Sequence, residues 1–167
     1  MNIQTDRLHI TRFTPDMAQA VHLNSLDEDT RRFVPDEVFE TVEAAQETVD
    51  FLITCYDGSE GPFVYPILLT SGENIGYVQL APVEGTWEIG YHIAKAYTGH
   101  GYATEAVRAF LPVIMDRLGL KSVLGVCLAD NLASRRVMEK CGFIQQYTGM
   151  GNYQGAQRNI CKYIYSI

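Results

Sequence analysis

The spacing of apolar positions changes along this chain, and each change predicts a new element. From Arg7 to Phe13 they alternate loosely, with Leu8 and Ile10 on one side, which reads as a first strand. Thr14-Pro15-Asp16 then reads as a helix start. It offers a capping hydroxyl, a proline in the first turn and an acid near the positive end of the helix dipole. That helix is expected to run to about Leu26, with a short polar helix over Asp27 to Arg32 and a turn at Val34-Pro35-Asp36. Thr41 caps a third helix reaching about Tyr56, with Ala45, Val49, Leu52 and Ile53 on one stripe.

After Asp57 to Pro62 the period drops toward two. Phe63 to Leu69 and Asn74 to Ala81 predict a hairpin around Ser71-Gly72-Glu73, and Trp87 to Ile93 a further strand. A helix follows over Tyr102 to Leu118; Pro112 is expected to bend or divide it, and Gly119 to cap its end. Ser122 to Leu128 is apolar enough for a central strand. Asp130-Asn131 opens a helix to about Cys141. Two last strands, Phe143 to Tyr147 and Ile160 to Ile167, are expected around a glycine-rich loop, Gly149 to Gly155. The strand–helix–strand segment from Trp87 to Leu128 makes a right-handed crossover between parallel neighbours, whereas the other connections are mostly hairpins. The pattern is α+β: a mixed, mostly antiparallel sheet of about six to seven strands flanked by helices.

The 167 residues suit one domain, 1–167, with a full core. Nothing approaches the roughly 18 consecutive apolar residues of a membrane span. The start of the chain lacks the basic-then-apolar order of a signal peptide. Cys55, Cys127, Cys141 and Cys161 have no metal-like spacing and read as reduced thiols of a cytoplasmic protein, with Cys127 and Cys141 in the core. The four histidines are scattered, so no metal is expected.

Charge divides the chain. Residues 1–94 hold 4 Lys/Arg against 16 Asp/Glu, and residues 95–167 hold 9 against 4, halves of −12 and +5 within a net −7. A basic half suits an anionic ligand and an acidic half a cationic one. The net charge makes nucleic acid a poor partner.

The most informative stretch begins at Trp87-Glu88-Ile89-Gly90-Tyr91-His92-Ile93 and continues through Tyr97-Thr98-Gly99-His100-Gly101-Tyr102-Ala103-Thr104-Glu105-Ala106. A strand leads through a short loop into a G-x-G and directly into a helix. Unpaired N–H groups and the positive dipole end then face whatever lies over the loop, an arrangement fit for a phosphate or pyrophosphate. Glycines before a helix also make plain caps. No Gly-Lys-Ser/Thr follows, so this is not a P-loop.

A second motif sharpens the reading. Asn131, Ser134, Val137, Lys140, Gly142 and Phe143 recur in register about 25 residues further on. Together with Glu88-Ile89-Gly90-Tyr91 and the G-x-G-Tyr-Ala-Thr-Glu-Ala run, they strongly resemble the GNAT superfamily of acyl-CoA-dependent N-acetyltransferases. The opening Thr5-Asp6-Arg7-Leu8, with Ile10 and Arg12, is similar to its ribosomal-protein N-terminal acetyltransferase branch. The resemblance covers nearly the whole chain and implies a splayed parallel strand pair around the CoA site.

It also implies roles. Gly99, His100, Gly101, Tyr102, Ala103 and Thr104 match the loop that holds the CoA diphosphate. Ala96 and His100 stand where the family commonly carries permanent positive charge. Tyr91 to Ile93 match the strand that pairs with the pantetheine arm, one of whose N–H groups serves as oxyanion donor; a strand bulge decides which. Asn131 matches a residue bonding that arm. Arg135, Arg136 and Lys140 are candidates for the 3′-phosphate, though any one of them reads first as a solvated charge. Glu88 is the candidate general base, or else a solvent-side or salt-bridged strand residue. Ser134 matches a proposed proton donor to the thiolate, or else bonds only the cofactor or helix backbone. Met138 occupies the place of a tyrosine used by many other members. Gln145 to Gln157 contains no acid, unlike ribosomal-protein enzymes with a catalytic Glu there. His92, two pleats from Glu88, reads as a relay or a partly buried structural histidine.

The resulting expectation is transfer of acetyl from acetyl-CoA to a primary amine, a peptide N-terminus or small cationic amine, without metal. The alternatives are a non-catalytic CoA sensor or scaffold, and an enzyme acetylating aminoacyl-tRNA. Pairing of the final strands into a homodimer is a habit of that fold.

Overall fold

The computed structural model describes residues 1–167. Eight strands form one sheet in the order β1-β2-β3-β4-β5-β6-β8-β7. They are β1 (Ile3–Gln4), β2 (Leu8–Ile10), β3 (Phe63–Leu69), β4 (Asn74–Val83), β5 (Thr86–Ile93), β6 (Ser122–Leu128), β7 (Ile144–Tyr153) and β8 (Ala156–Ser166). The helices are α1 (Ala18–Asn24), α2 (Glu28–Phe33), α3 (Val42–Cys55), α4 (Tyr102–Leu118) and α5 (Leu132–Lys140). Every neighbouring pair is antiparallel except β5–β6. The expected α+β sheet is present, with more strands than the expected six to seven; β1, two residues long, is too short to leave a period.

Local chemistry accounts for most boundaries. Thr41 caps α3 by accepting from Ala44 N–H, and Asp27 caps α2 by accepting from Asp29 and Thr30 N–H. Thr14 makes no such bond; Pro15–Met17 is a 3₁₀ turn and α1 begins after it. Pro112 lies inside an undivided α4. Gly149 to Gly155 is the main departure from expectation, because the hairpin strands run on to Tyr153 and resume at Ala156. A Cβ on Gly149 would lie 2.6 Å from the Tyr147 hydroxyl, and one on Gly151 2.4 Å from Cδ1 of Ile160. These glycines leave room for side chains lying over the strands and do not mark a turn.

The core is continuous across the sheet. Phe110 of α4 packs its ring 5.6 Å from Tyr65 of β3, tilted 55°, a geometry worth about 0.5–1.5 kcal/mol beyond area burial. Tyr65, Val78, Leu80, Ile89 and Met138 are all buried in the same cluster. Cys127 and Cys161 are buried, whereas Cys141, expected in the core, is only half-buried. No helix is long and apolar enough to cross a membrane.

Candidate active site

The strands β5 and β6 share only two paired positions, Glu88 with Leu124 and Ile89 with Gly125. Beyond them the strands part. Against β4, in contrast, β5 keeps eight consecutive pairs without a bulge, so the opening arises wholly on the β6 side. The edge of β5 from Gly90 to Ile93 is left without a strand beside it. Its free polar groups can meet an extended ligand as a neighbouring strand would. Gly125 helps hold α5 at the fork: a Cβ there would lie 2.6 Å from Sδ of Met138 and 3.3 Å from Ile89.

A cleft of about 810 Å³ runs through the fork. At one end stand Gly99, Gly101, Tyr102, Ala103 and Thr104. The N–H groups from Gly99 to Thr104 donate to no backbone carbonyl; the first to do so is Glu105, to Gly101. Gly101 adopts φ 81°, ψ 8° at the start of α4, a left-handed conformation that glycine takes without strain. The loop is anchored from the N-terminal segment. Arg7 donates from Nη1 to the His100 carbonyl at 2.9 Å and from Nε to Glu105 at 2.7 Å, and covers the Tyr102 ring at 4.7 Å. Thr5 donates to the same Glu105 at 2.6 Å. This explains the Thr5-Asp6-Arg7-Leu8 opening: it braces the glycine loop about 100 residues away.

The other predicted ligands divide. Tyr91, Ile93, Asn131, Arg136 and Lys140 line the cleft, while His100 and Arg135 do not. The His100 ring stacks on Tyr102, with Nδ1 2.9 Å from the Thr98 carbonyl. Arg135 donates to the Tyr163 hydroxyl, the Ala129 carbonyl and Gln145. Helical phase is the reason. Ala133, Arg136, Val137 and Lys140 share the cleft-facing stripe, and Arg135 lies a third of a turn away from it. Asn131 spends Oδ1 on the N–H of Ser134 at 3.1 Å, capping α5.

Acidic side chains also line the cleft. Glu88, at the base of the fork, shares it with Asp27, Glu37, Gln79, Tyr153 and Lys162. Burial pushes the Glu88 carboxyl up to about 7 against the opposing pull of Lys162, a value suited to a base at neutral pH. His92 is on the same face but about 13 Å along the strand. Its Nε2 lies 2.7 Å from Oγ1 of Thr30 and 4.0 Å from Asp27, and burial lowers its pKa. It is bonded to α2, not to Glu88.

Glu37 carries no signal in the sequence beyond a polar turn. Its Oε1 accepts from Gln79 Nε2 at 3.4 Å, its Oε2 is buried without a partner, and burial pushes the carboxyl up to about 7. A carboxyl raised above its unfolded value binds its proton more tightly in the folded state. The contribution of Glu37 to stability is therefore full below about pH 4.5 and is lost as pH rises toward 7. Thermal melts are expected to show Tm falling from pH 5 to 8. Glu37→Gln should remove about 2 kcal/mol of that fall, or about 4–8 °C for a chain of this size. An equal slope in the variant would place the cause elsewhere.

The same architecture occurs in known proteins. Residues 7–144 match the family model described as an acetyltransferase (GNAT) domain. An uncharacterised N-acetyltransferase of Bacillus subtilis strain 168, YnaD, is 30% identical over 145 residues, covering 85% of this chain and 82% of that protein. A GNAT-family acetyltransferase from Bacillus anthracis superposes with a TM-score of 0.85 at 26% identity, over 99% of this chain and 98% of its own. The ribosomal L7/L12 α-N-protein acetyltransferase RimL, solved with coenzyme A, shares the fold at a TM-score of 0.85 and 19% identity, over 100% and 98%. With the fork, the unpaired loop N–H groups and a family match over most of its length, this chain belongs to the GNAT family of acetyl-CoA-dependent N-acetyltransferases.

Proposed function

We propose that the protein moves the acetyl group of acetyl-CoA to a primary amine by direct attack in a ternary complex, the acceptor being a small cationic amine or a peptide N-terminus. One observation carries this reading: Glu88 stands where β5 and β6 divide, in a cleft lined both by the unpaired loop before α4 and by Asp27 and Glu37. The loop N–H groups suit the diphosphate, with Arg136 and Lys140 as cationic side chains in reach of the cleft. Arg135 and His100 point elsewhere and are set aside. Asp27, Glu37 and Glu88 favour a cation on the acceptor side.

The proposed steps use these groups. Glu88 takes a proton from the incoming ammonium and frees its lone pair. The amine nitrogen attacks the thioester carbonyl, and a free N–H on the β5 edge meets the developing oxyanion. The attacking nitrogen gives up its second proton to solvent, the C–S bond breaks with its electrons on sulfur, and Ser134 supplies the thiol proton. Glu88 discharges to solvent, from which Ser134 is restored. The structural relative RimL acts on a ribosomal protein; the absence of an acid from Gln145 to Gln157 sets this chain apart from enzymes with a catalytic Glu there. The exposed β7 edge, with Ile144 66% and Met150 61% accessible and no charged residue, supports pairing with a second copy.

The test is thiol release from acetyl-CoA with a panel of polyamines, aminoglycosides, amino acids and N-terminal peptides. Release with one class is the expected result and names the acceptor. Tight acetyl-CoA binding without release from any amine would favour a CoA sensor instead.

A further inference from the structure

Tyr91 so far matters through its backbone, yet its side chain makes the most specific contact inside the fork. It leaves β5 just after β6 has diverged and crosses to the first turn of α5. There its phenol oxygen lies 2.8 Å from the carbonyl oxygen of Ser134 and 2.9 Å from the Ser134 Oγ. A phenol has one proton. Shared between the carbonyl, which can only accept, and the serine Oγ, it leaves the serine's own proton free to point into the fork. The N–H of Ser134 is itself held by Asn131 Oδ1. The serine is thus fixed through its backbone by the cap and through its hydroxyl by Tyr91. Met138, one turn on, is buried beneath Gly125 and has no proton to offer.

Resting on the acetyltransferase reading, we propose that Tyr91 is the positioning residue of Ser134, holding its hydroxyl in the fork as proton donor to the departing thiolate. When the C–S bond breaks, sulfur keeps the electron pair, the Ser134 proton passes to it, and the serine oxygen regains a proton from solvent. Tyr91 keeps its own proton throughout. Burial pushes its hydroxyl well above the ordinary phenol range, which makes it a poor acid and a dependable hydrogen-bond donor. Released from Tyr91, the serine hydroxyl can rotate among its staggered wells and spends less time aimed at sulfur.

A double-mutant cycle decides the matter, using the acceptor found by thiol release. Ser134→Ala is expected to lower kcat about tenfold or more. Tyr91→Phe keeps the ring packing and removes only the hydroxyl; it should lower kcat about threefold to tenfold, with KM for acetyl-CoA within about twofold of wild type. Because Tyr91 acts through the serine, the double variant should be no slower than Ser134→Ala alone. Multiplying effects, or a Tyr91→Phe chain at full kcat, would overturn the proposal. A Ser134→Ala chain at wild-type kcat would overturn it too, by removing the group Tyr91 is said to position, while leaving acetyl transfer itself standing. Failure of the acetyltransferase reading would show earlier, as a wild-type chain that releases no thiol.

Discussion

A Glu88→Gln chain is expected to acetylate its amine at least tenfold more slowly than wild type, with acetyl-CoA affinity within about twofold. Glutamine keeps the size of the side chain and cannot take a proton. Position limits what can replace Glu88: His92 is bonded to Thr30 further along the strand, and Lys162 is a cation. The pH profile is the sharper readout. Burial holds the Glu88 carboxyl at about 7, so most of it is protonated and idle as a base at pH 6, and ionised at pH 8. In wild type kcat/KM should rise through pH 7. In the variant that limb should vanish, leaving only the rise at higher pH where the free amine loses its own proton. An unchanged profile with unchanged kcat would remove Glu88 from the reaction.

The second large effect belongs to the anion loop. Gly101→Val is expected to weaken acetyl-CoA binding about a hundredfold by calorimetry, with a cooperative melt retained. At φ 81° a β-branched residue is strained by about 1–3 kcal/mol, and the chain can escape by turning the loop away from its left-handed geometry. That moves the N–H groups of Gly101 and the first turn of α4 off their common focus. Hydrogen bonds to a charged acceptor contribute about 1.5–3 kcal/mol each, so losing one or two is enough for two powers of ten. The loop relies on these groups all the more because Ala96 carries no charge and the His100 ring is turned onto Tyr102. Affinity within about threefold of wild type would show that the diphosphate is held elsewhere.

Both predictions rest on positions visible before any fold was known, whereas other parts of the site were not. Glu88, Gly99 and Gly101 sit in local patterns: a strand with its two-residue period, then glycines directly before a helix. Such patterns are written by neighbours along the chain. Glu37 had no comparable mark. Its burial follows from the turn after α2 closing over β4, where Gln79 reaches it, a contact between residues 42 apart. Tyr91 was legible as a strand residue. The reach of its phenol to Ser134, 43 residues on, depends on how α5 docks at the fork. Arg135 and Arg136 are adjacent and equally basic, so composition could not separate them; a rotation of about 100° per residue put one on the cleft and the other on Tyr163.

The glycines of the last hairpin teach the same lesson from the opposite side. Read locally, Gly149, Gly151 and Gly155 mark a loop. In three dimensions the first two sit within strands beneath Tyr147 and Ile160, because a missing Cβ serves close packing as well as turning. By itself the sequence determined the order and kind of nearly all the elements, the α+β class, the glycine loop that opens α4 and the division between acidic and basic halves, since periodicity, capping and charge act over a few residues. Tertiary structure alone decided where β5 and β6 separate, which side chains face the gap, and which carboxyls and hydroxyls lose water there. Those properties arise from contacts between distant segments, and a proton affinity or a hydrogen-bond direction exists only once those contacts have formed.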